Sequence, residues 1–325
     1  MSKKDGGLTG FQIFWDRYST VAIMVFMVVV FGALRPGSFL KIDNLIKITE
    51  QSSITILLAC GEFFAILLAG IDLSVGSVMA LSGVVTAKFL VAGFNPVMAV
   101  LLGVVVLGAL LGAFNGTLIN VTRLPPFIIT LGTQLIFRGL TMVVSNRQAV
   151  SGIPGIYSRV IAGHTLFVIP NPFIIAFAVA AVLTFFSLKT KAGRNLYAIG
   201  GNSQAAWFAG IPIRLHTLAA FIISGICSGF AGMVNVARLS AAEPNAGTGY
   251  ETYAIAAVII GGTSFFGGQG VIPKVVVGGI IIGIINNGLN MMGLSSFYQQ
   301  IAMGSMIIVA VTLDRFFGAS SKLGS

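Results

Sequence analysis

Ten stretches of mostly apolar residues run along the chain, separated by short segments rich in glycine, proline and charge. Most are close to the roughly 20 residues that an α-helix needs to cross the hydrocarbon core of a bilayer. The pattern therefore predicts an all-α polytopic membrane protein with about ten transmembrane helices. The predicted spans are residues 18–34, 45–69, 71–91, 96–121, 125–144, 172–188, 218–237, 253–262, 271–291 and 297–314.

The polar segment 189–217 predicts the orientation of these helices. It carries no acidic residue and four basic ones, Lys189, Lys191, Arg194 and Arg214. Basic loops of this kind stay in the cytoplasm. The N-terminal segment is basic as well, with Lys3, Lys4 and Arg17.

With the N-terminus inside, ten crossings return the C-terminus to the cytoplasm. The chain then divides into a cytoplasmic tail at residues 1–17, a transmembrane domain at 18–314 and a second cytoplasmic tail at 315–325. The cytoplasmic loop 189–217 interrupts the transmembrane domain.

A short helix with its own start and stop signals is predicted inside this loop, at residues 203–209. Asn202 is a good N-cap, and Gly210 is a good residue to follow the last turn. Trp207 and Phe208 lie within it. An isolated two-turn helix is marginal in water, so we expect it to dock either on its own membrane domain or on a cytoplasmic partner.

The composition excludes several classes of protein. Hydrophobic residues make up 56% of the 325 residues and charged residues only 9%, whereas a soluble domain carries about 25% charged residues. The formal net charge of +10 would suggest nucleic acid in a soluble chain. Here the cations flank apolar spans, so topology and anionic lipid explain them, and no nucleic acid partner is expected.

No motif for catalysis is present in the sequence. It contains no Gly-x-x-x-x-Gly-Lys-[Ser/Thr] phosphate-binding loop, so we expect no ATP binding by that route. Cys60 and Cys227 lie in apolar segments and are interpreted as small buried hydrophobic residues. The spacing of cysteines and histidines predicts no metal site, and we expect neither enzyme activity nor a cofactor.

Charged residues within the predicted spans are candidates for function, because a charge in lipid is costly. Glu62 and Arg138 lie deepest by sequence. They either form a structural ion pair between two spans or line a substrate pathway. Asp72 either caps the third span or faces the pathway.

Amide side chains in the spans are suited either to hydrogen bonding with a polar substrate or to bonds between helices. Asn286 and Asn290 are one helical turn apart and share a face. With Glu62 and Asp72, the candidate pathway residues are Asn115, Gln134, Asn286 and Asn290, while Gln51 and Asn287 are further amides of this kind.

Glycines recur every four residues in three spans and predict close helix packing. These are Gly108, Gly112 and Gly116, then Gly225 and Gly229, and finally Gly279 and Gly283. Glycine-rich breaks after residues 69 and 260 indicate interrupted helices. Interrupted helices occur at membrane depth where protein or a water-filled cavity covers the free backbone groups.

Several segments together resemble the ribose-type permeases of bacterial ABC sugar importers, and the match spans nearly the whole chain. They are AGIDLSVGS at 69–77, PPFI at 125–128, TLGT at 130–133, GRN at 193–195, GGN at 200–202, GTGYETYAIAAVIIGG at 247–262 and NNGLN at 286–290. Within the family, GEFFAI at 61–66 and the start of the chain at 9–16 are most similar to D-allose permeases.

The resemblance implies a homodimeric permease of the bacterial inner membrane that carries D-allose or a ribose-like sugar. It further implies that a periplasmic binding protein delivers the sugar and that a cytoplasmic ATP-binding subunit supplies the energy. The residues that match the family's ATPase-coupling loop are Asn202, Ser203, Gln204, Ala205, Ala206, Trp207, Phe208 and Gly210.

Two positions depart from the family pattern. Glu62 replaces an uncharged residue that is common in ribose permeases, and Gln204 occupies a place where an acidic residue is expected. A different class of protein, an ion-coupled secondary sugar transporter, would need a carboxylate near the middle of the membrane. Glu62 or Asp72 could supply it, so this alternative stays open at the level of sequence.

Overall fold

The computed structural model of the protein describes residues 10–165 and 169–322, and these are mostly helical. Among the described residues, six helices are long and apolar enough to cross a membrane, and four shorter helices are also apolar. The predicted class of polytopic helical membrane protein is confirmed, with roughly ten helices as candidates for spanning.

The elements are numbered in chain order. The helices are α1 (Gly10–Leu34), α2 (Ile42–Leu67), α3 (Val75–Val91), α4 (Pro96–Val100), α5 (Leu107–Thr122), α6 (Pro126–Ser145), α7 (Gly155–Ala162), α8 (Asn171–Lys189), α9 (Lys191–Gly201), α10 (Ser203–Phe208), α11 (Ile213–Leu239), α12 (Tyr250–Ile260), α13 (Ile272–Met291) and α14 (Ser296–Lys322). A π-helical stretch, Leu101–Val106, joins α4 and α5 into one rod. Strands β1 (His164–Thr165) and β2 (Ile169–Pro170) pair antiparallel.

Helices α2 and α11 form the centre of the molecule. Most of α2 is buried, and it packs against α8, α11, α12 and α13. Helix α11 packs in turn against α2, α3 and α5. A buried polar side chain must find its partners within the protein, so α2 and the buried face of α11 are suited to position a polar site.

The predicted glycine packing is confirmed, and the structure identifies the partners. Gly108 and Gly112 of α5 face α11, where a Cβ atom on either residue would collide with the α11 backbone. Gly225 and Gly229 present the complementary surface of α11. Helix backbones approach closely in this way where small residues meet. On the other side of the core, Gly279 of α13 packs against α2.

Several helices extend beyond the apolar stretches that predicted them. Helix α1 begins at Gly10 rather than at residue 18, α11 begins at Ile213 rather than 218, and α14 continues to Lys322. Backbone hydrogen bonds continue past the segment that is apolar enough for lipid, so hydropathy underestimates helix length. The rest of the predicted tails, residues 1–9 and 323–325, lies outside the described residues.

Two short helices were missed because neither is apolar throughout. Helix α7 lies between the predicted spans 125–144 and 172–188, where no helix was predicted, and its buried Tyr157 donates a 3.1 Å hydrogen bond to the carbonyl oxygen of Met233. Helix α9 lies in the basic loop, where the Thr190 hydroxyl accepts a hydrogen bond from the N–H of Gly193. Both contain the polar positions that a hydropathy pattern reads as loop.

Candidate functional site

The break between α2 and α3, residues 68–74, is the centre of the first polar site. Helix α2 ends with the N–H of Gly70 bonded to the carbonyl of Ala65 and the N–H of Ala69 bonded to the carbonyl of Ile66. These are the bonds of a Schellman motif, in which the residue after the helix is left-handed. Ala69 adopts that conformation, with φ of 56°.

Asp72 organises the break through four hydrogen bonds. Its carboxylate accepts from the Ser74 N–H (3.0 Å), the Ser74 hydroxyl (2.6 Å) and the Ser224 hydroxyl of α11 (2.7 Å). Its own N–H donates to Oε1 of Glu62, 3.0 Å away. Asn115 of α5 joins the network by donating from Nδ2 to the Ser74 hydroxyl at 2.8 Å. The N-cap residue of α3 is Ser74, which makes no side-chain capping bond. Asp72 therefore holds the turn that leads into α3 through Ser74 and does not cap the first turn of the helix as predicted.

The network is fully enclosed, and two of its oxygens remain unpartnered. Glu62 and Asn115 are both 0% exposed. Oε2 of Glu62 and Oδ1 of Asn115 have no hydrogen-bond partner among the described residues. Buried polar atoms are nearly always bonded. These two oxygens are therefore hydrogen-bond acceptors that the described residues leave unsatisfied.

The segment 240–249, between α11 and α12, is a second irregular stretch inside the protein. The guanidinium of Arg138 on α6 donates 2.8 Å hydrogen bonds to the carbonyls of Pro244 and Ala246. Gly247 lies so close to Gly76 of α3 that a Cβ on either would collide with the backbone of the other. The segment is thus held between α3 and α6.

One face of α6 carries polar side chains to both breaks. The Thr130 hydroxyl donates to the carbonyl of Ile71 at 3.0 Å, and Nε2 of Gln134 donates to Oε1 of Glu251 at 3.3 Å. Arg138 continues the series. Residues four apart share a helix face, so Thr130, Gln134 and Arg138 form one polar stripe that supplies donors to irregular backbone and to the start of α12.

The proposed pair between Glu62 and Arg138 is wrong. Glu62 bonds to the backbone of Asp72, whereas Arg138 bonds to two carbonyls of segment 240–249. The physical reason is that the peptide groups at the two helix breaks need hydrogen-bond partners inside the protein. Glu62 and Arg138 each bond to such a group and not to each other.

The asparagines of α13 lie in a separate cluster. Asn287 and Asn44 of α2 exchange two 3.0 Å hydrogen bonds, and Oδ1 of Asn290 accepts one of 2.7 Å from Gln299 of α14. Along α2, Asn44 and Glu62 are about 27 Å apart at 1.5 Å per residue. The candidate pathway residues therefore divide into two groups near opposite ends of α2.

Asn286 and Asn290 do not meet the same environment, although they share a helical face. Oδ1 of Asn286 is buried and unpartnered among the described residues, whereas Asn290 is exposed and bonded to α14. Between them they present one free acceptor inside the protein and one exposed amide near the end of α13.

The predicted loop helix is present as α10, with the expected signals at both ends. Oδ1 of Asn202 accepts the N–H of Ala205 at 2.9 Å. Gly210 has φ of +78°, and the N–H of Ile211 bonds to the carbonyl of Ala206. Trp207 is 63% exposed and Phe208 is 80% exposed, and their rings meet edge to face. Within the described part of the chain, this aromatic pair is therefore not docked on the membrane domain.

Ala206 points inward, unlike its neighbours. It is 4% exposed, while Ser203, Gln204 and Ala205 are exposed. Of the two alanines that match the coupling loop, Ala205 is therefore accessible to a partner, whereas Ala206 is buried within the chain. Helix α10 packs against α9 and α11, and Ala206 lies on its buried face.

The loop helices are fastened to neighbouring elements. The Tyr197 hydroxyl of α9 donates 2.9 Å to the carbonyl of Gly270, and burial raises the pKa of this phenol, which stays protonated at neutral pH. A cleft of about 510 Å³ opens beside α10, lined by Leu68, Ala69, Gly200, Asn202, Gln204 and Thr217 among others.

Sequence reasoning missed Ser74, Ser224 and Glu251 as members of the polar site. Ser74 could have been found, because a serine two residues after an aspartate at a helix start is a common capping arrangement. Nothing local in α11 indicated Ser224, whose partner is 152 residues away. Glu251 lies in the first turn of a short helix, where an acidic residue has a simple helix-dipole explanation.

Comparison with known proteins gives the chain a family. Residues 44–311 match the family described as branched-chain amino acid transport system / permease component. The chain is 53% identical over 305 residues to the D-allose transport system permease protein AlsC of Escherichia coli K12, covering 94% of this chain and 93% of that protein.

Two further relatives have different printed substrates. The ribose import permease protein RbsC of Bacillus subtilis 168 is 42% identical, with 90% of each chain covered. The galactose/methyl galactoside import permease protein MglC of Salmonella typhimurium LT2 is 34% identical, over 95% of this chain and 97% of that protein. No solved structure matches the chain. The family match covers most of the chain, so the chain belongs to the family described as branched-chain amino acid transport system / permease component.

Proposed function

We propose that this chain is the membrane permease subunit of an ATP-driven importer for D-allose or a chemically similar monosaccharide. The observation that carries the proposal is the 53% identity to the D-allose permease of E. coli over 94% of the chain. The lower identities to the ribose and galactoside permeases favour allose among sugars. Like these relatives, the chain is a transport component of the bacterial inner membrane and not an enzyme.

The cytoplasmic ATP-binding subunit docks on α10. Trp207 and Phe208 support this role, because two large aromatic side chains on a short helix stay exposed among the described residues and can serve as an apolar anchor for a partner. ATP is bound and hydrolysed by that subunit, since this sequence lacks the phosphate-binding loop. The sugar arrives from a periplasmic binding protein.

The chain crosses the membrane about ten times with both termini in the cytoplasm, and two copies form the permease. The six long and four shorter apolar helices support the number of crossings. The acid-free basic loop, which contains α9 and α10, supports the orientation. The division of the chain into tails and transmembrane domain follows from this topology.

The translocation pathway follows buried polar groups whose hydrogen-bonding capacity is not satisfied by the described residues. Oε2 of Glu62, Oδ1 of Asn115 and Oδ1 of Asn286 are buried acceptors without partners among the described residues, and sugar hydroxyls are donors. Asp72 and Gln134 position the breaks, and Asn290 lies exposed near the end of α13. Rearrangement of the two breaks exposes the free oxygens of Glu62 and Asn115 to the sugar, while Asn286 and Asn290 line the pathway near the opposite end of α2.

An ion-coupled secondary transporter is the second candidate, favoured by the two buried carboxyl groups of Glu62 and Asp72. The geometry supports it less well. Asp72 is occupied by three donors from Ser74 and Ser224, and Oε1 of Glu62 by a backbone N–H. These carboxylates are used to hold the break between α2 and α3.

Uptake of labelled sugars by cells tests the substrate. Cells lacking the chain, and the same cells supplied with it, are given D-allose, D-ribose or D-galactose at equal concentration. We expect the chain to restore uptake of D-allose most strongly. If the chain does not increase the uptake of any of the three sugars, the proposal is contradicted.

A further inference from the structure

Three segments meet beside α10 with backbone directly against backbone. They are the end of α2 at Leu67, the end of α9 at Gly200 and the turn between α12 and α13 at Gly267–Gly268. The N–H of Gly268 donates a 2.9 Å hydrogen bond to the carbonyl of Leu67. A Cβ on Gly200 would collide with that same carbonyl and would lie 2.6 Å from the nitrogen of Gly268.

The other two glycines are equally confined. A Cβ on Gly267 would lie 2.9 Å from the nitrogen of Ala69, and one on Gly268 would lie 2.6 Å from the nitrogen of Gly201. We call this three-way contact the glycine joint. Side chains adapt to movement by changing rotamer, but a contact between backbones has no such freedom. The three segments therefore move together.

A second bond strengthens the joint. The Tyr197 hydroxyl, one turn before the end of α9, donates to the carbonyl of Gly270 in the turn that carries Gly267 and Gly268. Helix α9 is thus fastened to the α12–α13 turn by a side chain as well as by backbone packing. The turn in turn holds the end of α2 through Gly268.

The joint lies directly between the loop helix and the buried network. On one side, Gly201 is followed at once by Asn202, the N-cap of α10. On the other side, Leu67 is the last residue of α2, and the chain continues through Ala69 to Asp72. A displacement of α10 by its partner would reach the α2–α3 break after a single backbone contact.

We propose that the glycine joint transmits the movement of α10 to the α2–α3 break, and that Gly200 is the positioning residue that keeps this contact rigid. The inference rests on the proposed function, because it needs a partner that moves α10. It adds a specific mechanical role for residues that touch neither the sugar nor the aromatic surface of α10.

Gly200→Ala and Gly201→Ala form a matched pair for the test. The two residues are adjacent in α9, and the change is the same. The new methyl group of Gly201→Ala meets no atom within 4 Å, whereas that of Gly200→Ala enters the joint. Each variant is reconstituted in proteoliposomes with the ATP-binding subunit and the sugar-binding protein, and sugar uptake and ATP hydrolysis are measured on the same sample.

We expect Gly200→Ala to bind the ATP-binding subunit and to hydrolyse ATP, but to import about tenfold less sugar for each ATP, in the range that mutations impose on coupling between sites. Gly201→Ala keeps the wild-type ratio. An unchanged ratio in Gly200→Ala, or an equal loss in Gly201→Ala, overturns the inference. Absence of ATP-driven uptake by the wild-type chain would instead overturn the proposed function.

A cross-link gives a second measurement that does not depend on the folding of Gly200→Ala. Leu68→Cys and Gly201→Cys are combined in a Cys60→Ala, Cys227→Ala background and joined by a short bifunctional thiol reagent across the cleft that both residues line. A rigid joint predicts that the cross-linked protein retains the wild-type ratio of sugar to ATP, with the ATP-binding subunit still bound. Loss of uptake on cross-linking shows that α2 and α9 must part, and overturns the inference.

Discussion

The hydroxyl of Ser224 donates a 2.7 Å hydrogen bond to Oδ2 of Asp72, although the two residues are 152 positions apart in the sequence. The bond connects the middle of α11 to the break between α2 and α3. Because both residues are fully buried, the bond has no competition from water. It fixes the start of α3 against α11, the helix that follows α10.

Replacing Ser224 by alanine should destabilise the protein by about 1–3 kcal/mol, because a buried carboxylate loses a donor. Ser228→Ala on the same helix is the matched control. Its hydroxyl donates only to the Ser224 carbonyl, which the helix already satisfies. Thermal unfolding of the purified protein in detergent should show a clearly lower midpoint for Ser224→Ala than for Ser228→Ala. Equal midpoints would contradict the role given to Asp72.

Removing the guanidinium of Arg138 should loosen segment 240–249. Arg138→Gln leaves the carbonyls of Pro244 and Ala246 without their donors, at a cost of about 1–3 kcal/mol for an unsatisfied buried group. A cysteine at Ala246, in a Cys60→Ala, Cys227→Ala background, should then react faster with a water-soluble thiol reagent. Arg147→Gln, at an exposed arginine just beyond the end of α6, should leave the rate unchanged. The role fails if both arginine variants label at the rate of the parent.

Glu62 acts in this structure as an acceptor for the N–H of Asp72. Glu62→Gln keeps an acceptor oxygen and should remain folded, whereas Glu62→Leu leaves that N–H unsatisfied and should cost about 1–3 kcal/mol. Folded yield by size-exclusion chromatography separates the two. In a double-mutant cycle of Glu62→Leu with Arg138→Gln, the losses of folded yield should be additive, because the two side chains are not bonded to each other in the structure. Recovery of yield in the double variant would reinstate an ion pair between them.

Trp207→Ala with Phe208→Ala should leave the permease folded but weaken its association with the ATP-binding subunit. Truncation of an aromatic anchor costs about 2 kcal/mol or more, which is roughly a thirtyfold loss of affinity. Ile156→Ala on α7, also exposed, is the control at the opposite end of α11. Co-purification at matched membrane levels measures the effect. Undiminished co-purification of the double variant would place the docking surface elsewhere.

Ala206→Asp is expected to behave differently from these aromatic variants. Because Ala206 is buried within its own chain, a carboxylate there is desolvated without a partner and should lower folded yield. Loss of the ATP-binding subunit in this variant would therefore report misfolding of the loop. Normal folded yield for Ala206→Asp would show that the side chain has room that the structure does not show.

The sequence allowed the helical architecture and the loop helix to be predicted because both rest on local signals. Runs of apolar residues indicated the spans, and Asn202 with Gly210 delimited α10 correctly. Glycine spacing identified the faces on which α5 and α11 meet. These features depend on residues a few positions apart, which is the range over which pattern carries information.

The polar site could be predicted only in part, because its bonds join distant segments. Asp72, Glu62 and Asn115 were identified as candidates, but their grouping depends on Ser224 and on the path of the break. The ion pair with Arg138 was wrong because opposite charges in a sequence do not reveal that broken backbone competes for both. The backbone peptide groups that compete for these charges are the same for every residue, so the sequence does not show where they are left unpaired.

The source of energy for transport tests the account most directly. Uptake of labelled D-allose is measured in proteoliposomes that contain this chain, its ATP-binding subunit and the sugar-binding protein. The measurement is made with and without ATP, and again after ionophores have abolished the ion gradients. The account predicts uptake that requires ATP and both partners and that continues after the gradients have collapsed. Uptake by this chain alone that follows a proton or sodium gradient and ignores ATP would contradict it.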